Sequence, residues 1–105
     1  MLGNLQRYAE AKEQLRKMTP VARRFLGESH DLTFRIRLAY AMALYRDPGA
    51  TLDDLREAVT TLEDAKRTAR RVLGGTHPVT DAMEGSLRIS QALHARKMQS
   101  SSAIA

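Results

Sequence analysis

The chain lacks cysteine altogether and has few aromatic residues, with no tryptophan among its 105 residues. Without cysteine it can form neither a disulfide framework nor a thiolate metal site. The absence fits a reducing compartment, so we expect an intracellular, cytoplasmic protein. No apolar run approaches the roughly 18 residues that a membrane helix needs, so no transmembrane segment is predicted.

Negative charge is scarce in the first quarter of the chain. Residues 1–27 carry six Lys or Arg against two acids, whereas residues 28–74 carry eight of each, within a formal net charge of +5. The six bases are Arg7, Lys12, Arg16, Lys17, Arg23 and Arg24. Because contacts to phosphate drive nucleic-acid binding, this basic patch predicts RNA binding as the alternative function of the chain. The five aromatic residues lie on apolar stripes and do not interleave with the bases, which argues against a stacking platform.

Apolar residues recur every three or four positions, which predicts helices over about 4–26, 31–46, 52–73 and 78–97. These helices form one domain over residues 1–98, followed by a disordered tail over 99–105. Pro20 predicts a kink near Lys17 or two consecutive helices, because proline removes a backbone hydrogen bond. The apolar stripe of the first helix is Leu5, Tyr8, Ala11, Leu15, Met18, Ala22 and Phe25.

The other helices differ in how many apolar sides they have. The second is apolar on two sides, so it requires neighbours on both. Thr51 and Asp54 resemble a capping pair at the start of the third helix, whose acids precede its bases in the order that suits the helix dipole. The fourth helix is the weakest, since Gly85, Ser86 and Ser90 interrupt its apolar face.

One phrase occurs twice. The sequence "RRFLGESHDLT" begins at Arg23, and "RRVLGGTHPVT" begins 47 positions later at Arg70. In each copy a helix ends on basic residues and Leu-Gly, the chain turns, and a new helix begins after a histidine. Glycine suits the position after a helix end, and His30 and His77 are predicted to cap the helices that follow. A repeat of this length indicates stacked units of paired helices.

These corners resemble the tetratricopeptide repeats of the kinesin light chain type. The matching residues are Leu26, Gly27, His30 and Thr33 in one corner and Leu73, Gly74, His77, Pro78 and Thr80 in the other. The family's Tyr-x-x-Ala opening is matched by Tyr8 with Ala11 and by Leu55 with Ala58. The resemblance implies an all-α fold in which antiparallel helical hairpins stack as a short tetratricopeptide-like α-solenoid of about four helices. It also implies a non-catalytic protein–protein interaction module, acting as a small scaffold or assembly subunit.

The array is shorter than the three or so repeats that such folds usually need, so its ends require a covering surface. We expect another protein, or self-association through the second and fourth helices, to supply it. The resemblance places these helices on the concave side, which makes Arg35, Arg37 and Arg88 the candidate partner-binding residues for an acidic segment.

Residues suited to catalysis are sparse. Of the three histidines, His30 and His77 occupy equivalent corners and His94 stands apart, and there is no cysteine nucleophile. His77 and Asp81 share a helix face, but two ligands do not make a metal site. No glycine-rich segment has the spacing of a phosphate-binding loop. The sequence therefore predicts no enzyme activity, no catalytic residue, no cofactor and no metal.

Overall fold

The computed structural model describes the backbone of residues 3–104 and the side chains of residues 7–100; all four regular elements in this range are α-helices. They are α1 (Gly3–Phe25), α2 (Asp31–Arg46), α3 (Leu52–Leu73) and α4 (Pro78–Ile104). The all-α prediction is confirmed. The helix α4 extends past its predicted end at residue 97 and runs to Ile104. No proline or glycine after Gly85 ends the helix.

The helix α1 continues through Pro20 as one helix. Proline lacks the backbone N–H that would bond to the carbonyl four residues earlier, and this costs a hydrogen bond without ending the helix. Next to it, the Thr19 hydroxyl donates to the Leu15 carbonyl at 2.7 Å. The alternative of two consecutive helices is therefore wrong.

The two repeated corners have the same local structure. Gly27 and Gly74 have φ values of 92° and 95°. At Gly74 ψ is 158°, which together with the positive φ is a conformation that only glycine readily adopts. The Nδ1 atoms of His30 and His77 accept from the backbone N–H two residues later, at 3.0 and 3.1 Å. Both predicted histidine caps are confirmed.

The helices follow one another in a zigzag, in which each packs on the next along the chain. The central helix α2 packs on α1 and α3, and also on α4, as its two apolar sides predict. The helices α1 and α3 do not pack directly within the described residues. The start of α3 carries the predicted capping box, in which Thr51 and Asp54 exchange side-chain and backbone hydrogen bonds of 3.1 and 3.0 Å.

The hydrophobic core lies between α2, α3 and α4, and α1 contributes little to it. The predicted stripe of α1 buries only Ala22 fully, while Tyr8 and Leu15 are half-buried and Leu5 lies outside the described side chains. The serines of α4 do not interrupt its packing, because Ser86 and Ser90 are themselves buried. The small Ser86 hydroxyl accepts a 3.0 Å hydrogen bond from Tyr45 of α2. In the described part of the chain no helix combines the length and apolarity needed to cross a membrane.

Candidate partner-binding surface

The three predicted partner-binding arginines do not form one accessible cluster. The Arg37 side chain is only 6% exposed, and its Nη2 lies 2.6 Å from Oδ2 of Asp64 on α3. The hydrogen bond from Arg37, strengthened by its charge, holds the pKa of Asp64 below its usual value despite the opposing effect of partial burial. Arg37 therefore joins α2 to α3 and is not available to a partner.

The other two arginines are exposed on separate helices. Arg35 on α2 forms an ion pair with Asp31 one turn earlier, with Nε and Oδ2 2.8 Å apart. Arg88 on α4 is exposed to solvent. An exposed pair one helical turn apart contributes only about 0.3–0.5 kcal/mol, so Arg35 could exchange Asp31 for an external carboxylate at little cost.

The predicted basic patch of α1 is largely engaged within the protein. Lys12 reaches Asp54 on α3 at 3.9 Å, and Arg23 bonds to Glu28 beyond the end of its own helix. The Arg24 guanidinium lies over the Phe25 ring, 5.8 Å from its centroid. The charges point in several directions, so they do not form the single row of bases that a phosphate backbone requires.

Tyr40 connects the basic side of α1 to the acidic side of α3. Its hydroxyl donates to the Glu57 carboxylate, and burial, followed by this hydrogen bond, raises the pKa of Tyr40. A hydrogen bond with Tyr40 in turn raises the pKa of Arg16, with a smaller contribution from nearby Glu13. Together with the ion pair between Lys12 and Asp54, Arg16 thus helps to link α1 to α3, although the two helices do not pack directly on one another.

An apolar groove of about 400 Å³ is open to solvent between the end of α1 and the start of α2. We call it the α1–α2 groove, and it is lined by Lys17, Met18, Val21, Ala22, Phe25, Leu26, Leu32 and Ile36. Phe25 is 76% exposed, and Met18 and Leu32 are 45% and 48% exposed. A cluster of large exposed apolar side chains is uncommon on a monomeric protein and is typical of interaction sites and ligand-binding grooves. A second depression, lined by Tyr8, Leu15 and Met42 among others, lies further along the same two helices.

The 47-residue repeat gives each residue of this groove a counterpart in the α3–α4 pair. Met18 and Ala22 correspond to Ala65 and Ala69, and Leu32 corresponds to Val79. All three counterparts are buried, whereas Met18 and Leu32 are about half exposed. The difference arises because α2 packs on both α3 and α4, while no helix in the described residues occupies the equivalent place on α1 and α2.

The opposite end of the array is polar by comparison. At the positions of α4 that correspond to the buried Phe34, Ala41 and Leu44 of α2, the chain has Asp81, Arg88 and Gln91. All three are exposed. This side of α4 is therefore polar, whereas the α1–α2 groove is apolar.

The histidines do not assemble into a metal site. Within the described residues no group of three or more His, Asp or Glu side chains is placed to hold a metal ion. His30 and His77 each use Nδ1 as a helix cap. His94 on α4 stands alone, and its Nε2 has no hydrogen-bond partner among the described residues.

Comparisons of the chain with protein-family models, with curated proteins and with solved structures found no match. Any functional proposal therefore rests on the geometry of the chain itself. The α1–α2 groove was missed by sequence reasoning, which placed Met18 and Phe25 on a core stripe. One signal was present in the sequence: Met18 stands where the second copy has Ala65, and a larger side chain at that position cannot fit the same buried contact.

Proposed function

We propose that the chain is a non-catalytic protein–protein interaction module that docks a partner protein on its open end. The observation that carries this proposal is the exposure of Met18 and Leu32 in the α1–α2 groove, because their counterparts Ala65 and Val79 in the second copy of the repeat are buried. Exposed apolar area gains free energy of about 25 cal/mol per Å² when it is removed from water, which provides the driving force for docking.

We propose that the helices have a tetratricopeptide-like architecture, and two features support it. The two corners share glycines with positive φ and histidine caps, and the helices alternate in a zigzag with α2 against α4. In stacked repeats each unit covers its neighbour, so an end that carries an apolar face lacks a covering unit. A partner helix that supplies the cover would act as a scaffold contact.

RNA binding has less support. Four of the six bases of α1 pair with Glu13, Glu28 or Asp54 or lie on an aromatic ring, and these contacts divide the patch. The most exposed aromatic side chain of the groove is Phe25, which lies among apolar residues and not along a row of bases. The basic patch therefore fits ion pairing within the protein better than phosphate binding.

The proposal is tested by placing a photo-crosslinking phenylalanine analogue at Phe25 of the full chain in its native cells. We expect discrete covalent adducts that contain a second protein and that survive nuclease treatment. The matched control is the same analogue at Ile89, an exposed apolar residue that lies on α4. Absence of adducts at Phe25, equal adducts at both positions, or adducts that nuclease removes would refute the proposal.

A further inference from the structure

The helix α2 shows what kind of helix fits the α1–α2 groove, because it already covers the equivalent groove of the second copy. Phe34, Ala41 and Tyr45 are buried in the same core cluster as the residues of α3 and α4. The Tyr45 hydroxyl reaches Ser86 of α4 at 3.0 Å, and the Arg37 guanidinium reaches Asp64 of α3 at 2.6 Å. A helix that covers a groove of this type therefore has an apolar face. It also has one charged side chain that faces the helix preceding the repeated corner, which is α3 in the second copy.

The side chain that faces the covering helix is negatively charged on α3, and the equivalent side chain on α1 is positively charged. Asp64, which accepts the hydrogen bond from Arg37, corresponds by the 47-residue spacing to Lys17. Lys17 is exposed, lines the α1–α2 groove, and has no ion-pair partner among the described residues. Arg7 stands at the position that corresponds to Asp54, so the surface that is acidic on α3 is basic at two positions on α1.

We propose that the α1–α2 groove binds an amphipathic helix of a partner protein that carries a carboxylate opposite Lys17. In this arrangement the partner helix lies on α1 and α2 as α2 lies on α3 and α4, and its acidic side chain takes the place of Arg37. Its apolar face covers Met18 and Leu32, whose counterparts Ala65 and Val79 are buried in the second copy. The inference rests on the function proposed above and specifies the chemistry of the partner.

A second copy of the chain is a poorer occupant. Stacked head to tail, its α4 would bring Asp81, Arg88 and Gln91 to the places where α2 carries Phe34, Ala41 and Leu44. Burying three polar side chains without partners costs several kcal/mol. An isolated helix from another protein has no such constraint, and its acidic side chain complements Lys17, which lines the groove.

The test uses two fluorophore-labelled peptides that copy residues 28–50. One carries Arg37→Glu, and the matched peptide keeps Arg37. Because isolated helices of this length are marginal in water, both peptides carry Arg35→Lys joined to Asp31 by a lactam. This bridge replaces the exposed ion pair between residues 31 and 35. Helix content is verified by circular dichroism, and binding to the full chain is measured by fluorescence anisotropy.

We expect the full chain to bind the Arg37→Glu peptide roughly fivefold more tightly than the Arg37 peptide, because an attractive exposed pair replaces a repulsive one. The variant Lys17→Glu should reverse this preference. The control variant Arg88→Glu makes an equal change of charge on α4 and should leave it unchanged. The double variant Met18→Ser, Leu32→Ser should weaken the binding of both peptides, whereas Ile89→Ser should leave the binding of both unchanged.

Two kinds of result overturn the inference. Failure of the helical peptides to bind, or a preference that Lys17→Glu does not reverse, shows that the groove does not read a helix by this charge. Self-association of the chain that Met18→Ser abolishes, seen by sedimentation equilibrium, identifies a second copy as the occupant. Either result leaves the photo-crosslinking experiment at Phe25 to decide separately whether the chain docks a protein at all.

Discussion

Replacing Asp64 by asparagine should destabilise the protein more than removing its partner Arg37. The Arg37 guanidinium is buried, whereas the Asp64 side chain is 52% exposed. In Asp64→Asn the buried cation keeps only a neutral acceptor. In Arg37→Met the carboxylate that remains can be hydrated, and the unbranched methionine fills much of the space of the arginine stem.

A hydrogen bond to a charged group contributes about 1.5–3 kcal/mol, and the exposure of Asp64 reduces this range. We therefore expect Asp64→Asn to lower the free energy of unfolding by about 1–2 kcal/mol. For a domain of this size that corresponds to a Tm lower by roughly 5–15 °C. Arg37→Met should cost less than about 1 kcal/mol.

The assay is urea unfolding of the full chain followed by far-ultraviolet circular dichroism. Asp53→Asn is the matched control, because Asp53 is exposed and its 3.8 Å ion pair with Arg56 lies within a single helix. It should change stability by less than about 0.5 kcal/mol. An Asp64→Asn protein as stable as the wild type, or one more stable than Arg37→Met, would refute the assignment of Arg37 as a buried cation that requires Asp64.

The same pair predicts a pH dependence of defined sign. The folded-state pKa of Asp64 is depressed, chiefly by the hydrogen bond from Arg37, so the unfolded chain takes up the proton first as the pH falls. The stabilisation is complete above the unfolded pKa of about 3.9 and is lost as the pH falls through the folded pKa. The stability difference between wild type and Asp64→Asn should therefore be constant above about pH 5 and shrink below pH 4. A difference that grows on acidification would contradict this.

Three further predictions concern the caps, the buried tyrosine and the repeat. His30→Ala and His77→Ala should each cost about 0.5–2 kcal/mol in urea unfolding and be rescued by Asn; two silent variants would show that the caps carry no stability. Tyr40→Phe should cost about 1 kcal/mol near neutral pH. Because the folded pKa of Tyr40 is raised, this difference should persist below about pH 10 and disappear as the pH rises through the folded value; a constant difference would oppose it. Ala65→Met should cost about 1–3 kcal/mol by overpacking, whereas Met18→Ala should cost less than about 1, and equal losses would contradict the repeat comparison.

Local signals in the sequence predicted most of the helix boundaries. The corners could be predicted because their chemistry is local: a glycine with positive φ ends one helix, and a histidine two residues before a backbone N–H caps the next. The capping box of Thr51 and Asp54 has the same local origin. The end of α4 was harder to predict than the other boundaries, because alanine and serine are common both in helices and outside them.

The partner-binding residues were harder to predict, since their availability depends on helices that are distant in sequence. Arg35 and Arg37 look alike in the sequence, yet they point to different sides of α2, and only Arg37 meets α3. The burial of Ser86 likewise depends on the approach of Tyr45 from a helix 41 residues away. Hydrophobic periodicity assigns a side to a residue, but it does not say whether another helix covers that side.

The sequence by itself determined the four helices and their caps, because the spacing of apolar side chains and hydrogen bonds within a few residues fix both. It also contains the 47-residue repeat. Only the tertiary structure decided which copy of the repeat is covered. The helix α2 packs on the α3–α4 pair and buries Ala65 and Val79, whereas the matching Met18 and Leu32 face solvent. Equivalent residues thus differ in environment because an apolar side chain is removed from water only where another helix packs over it.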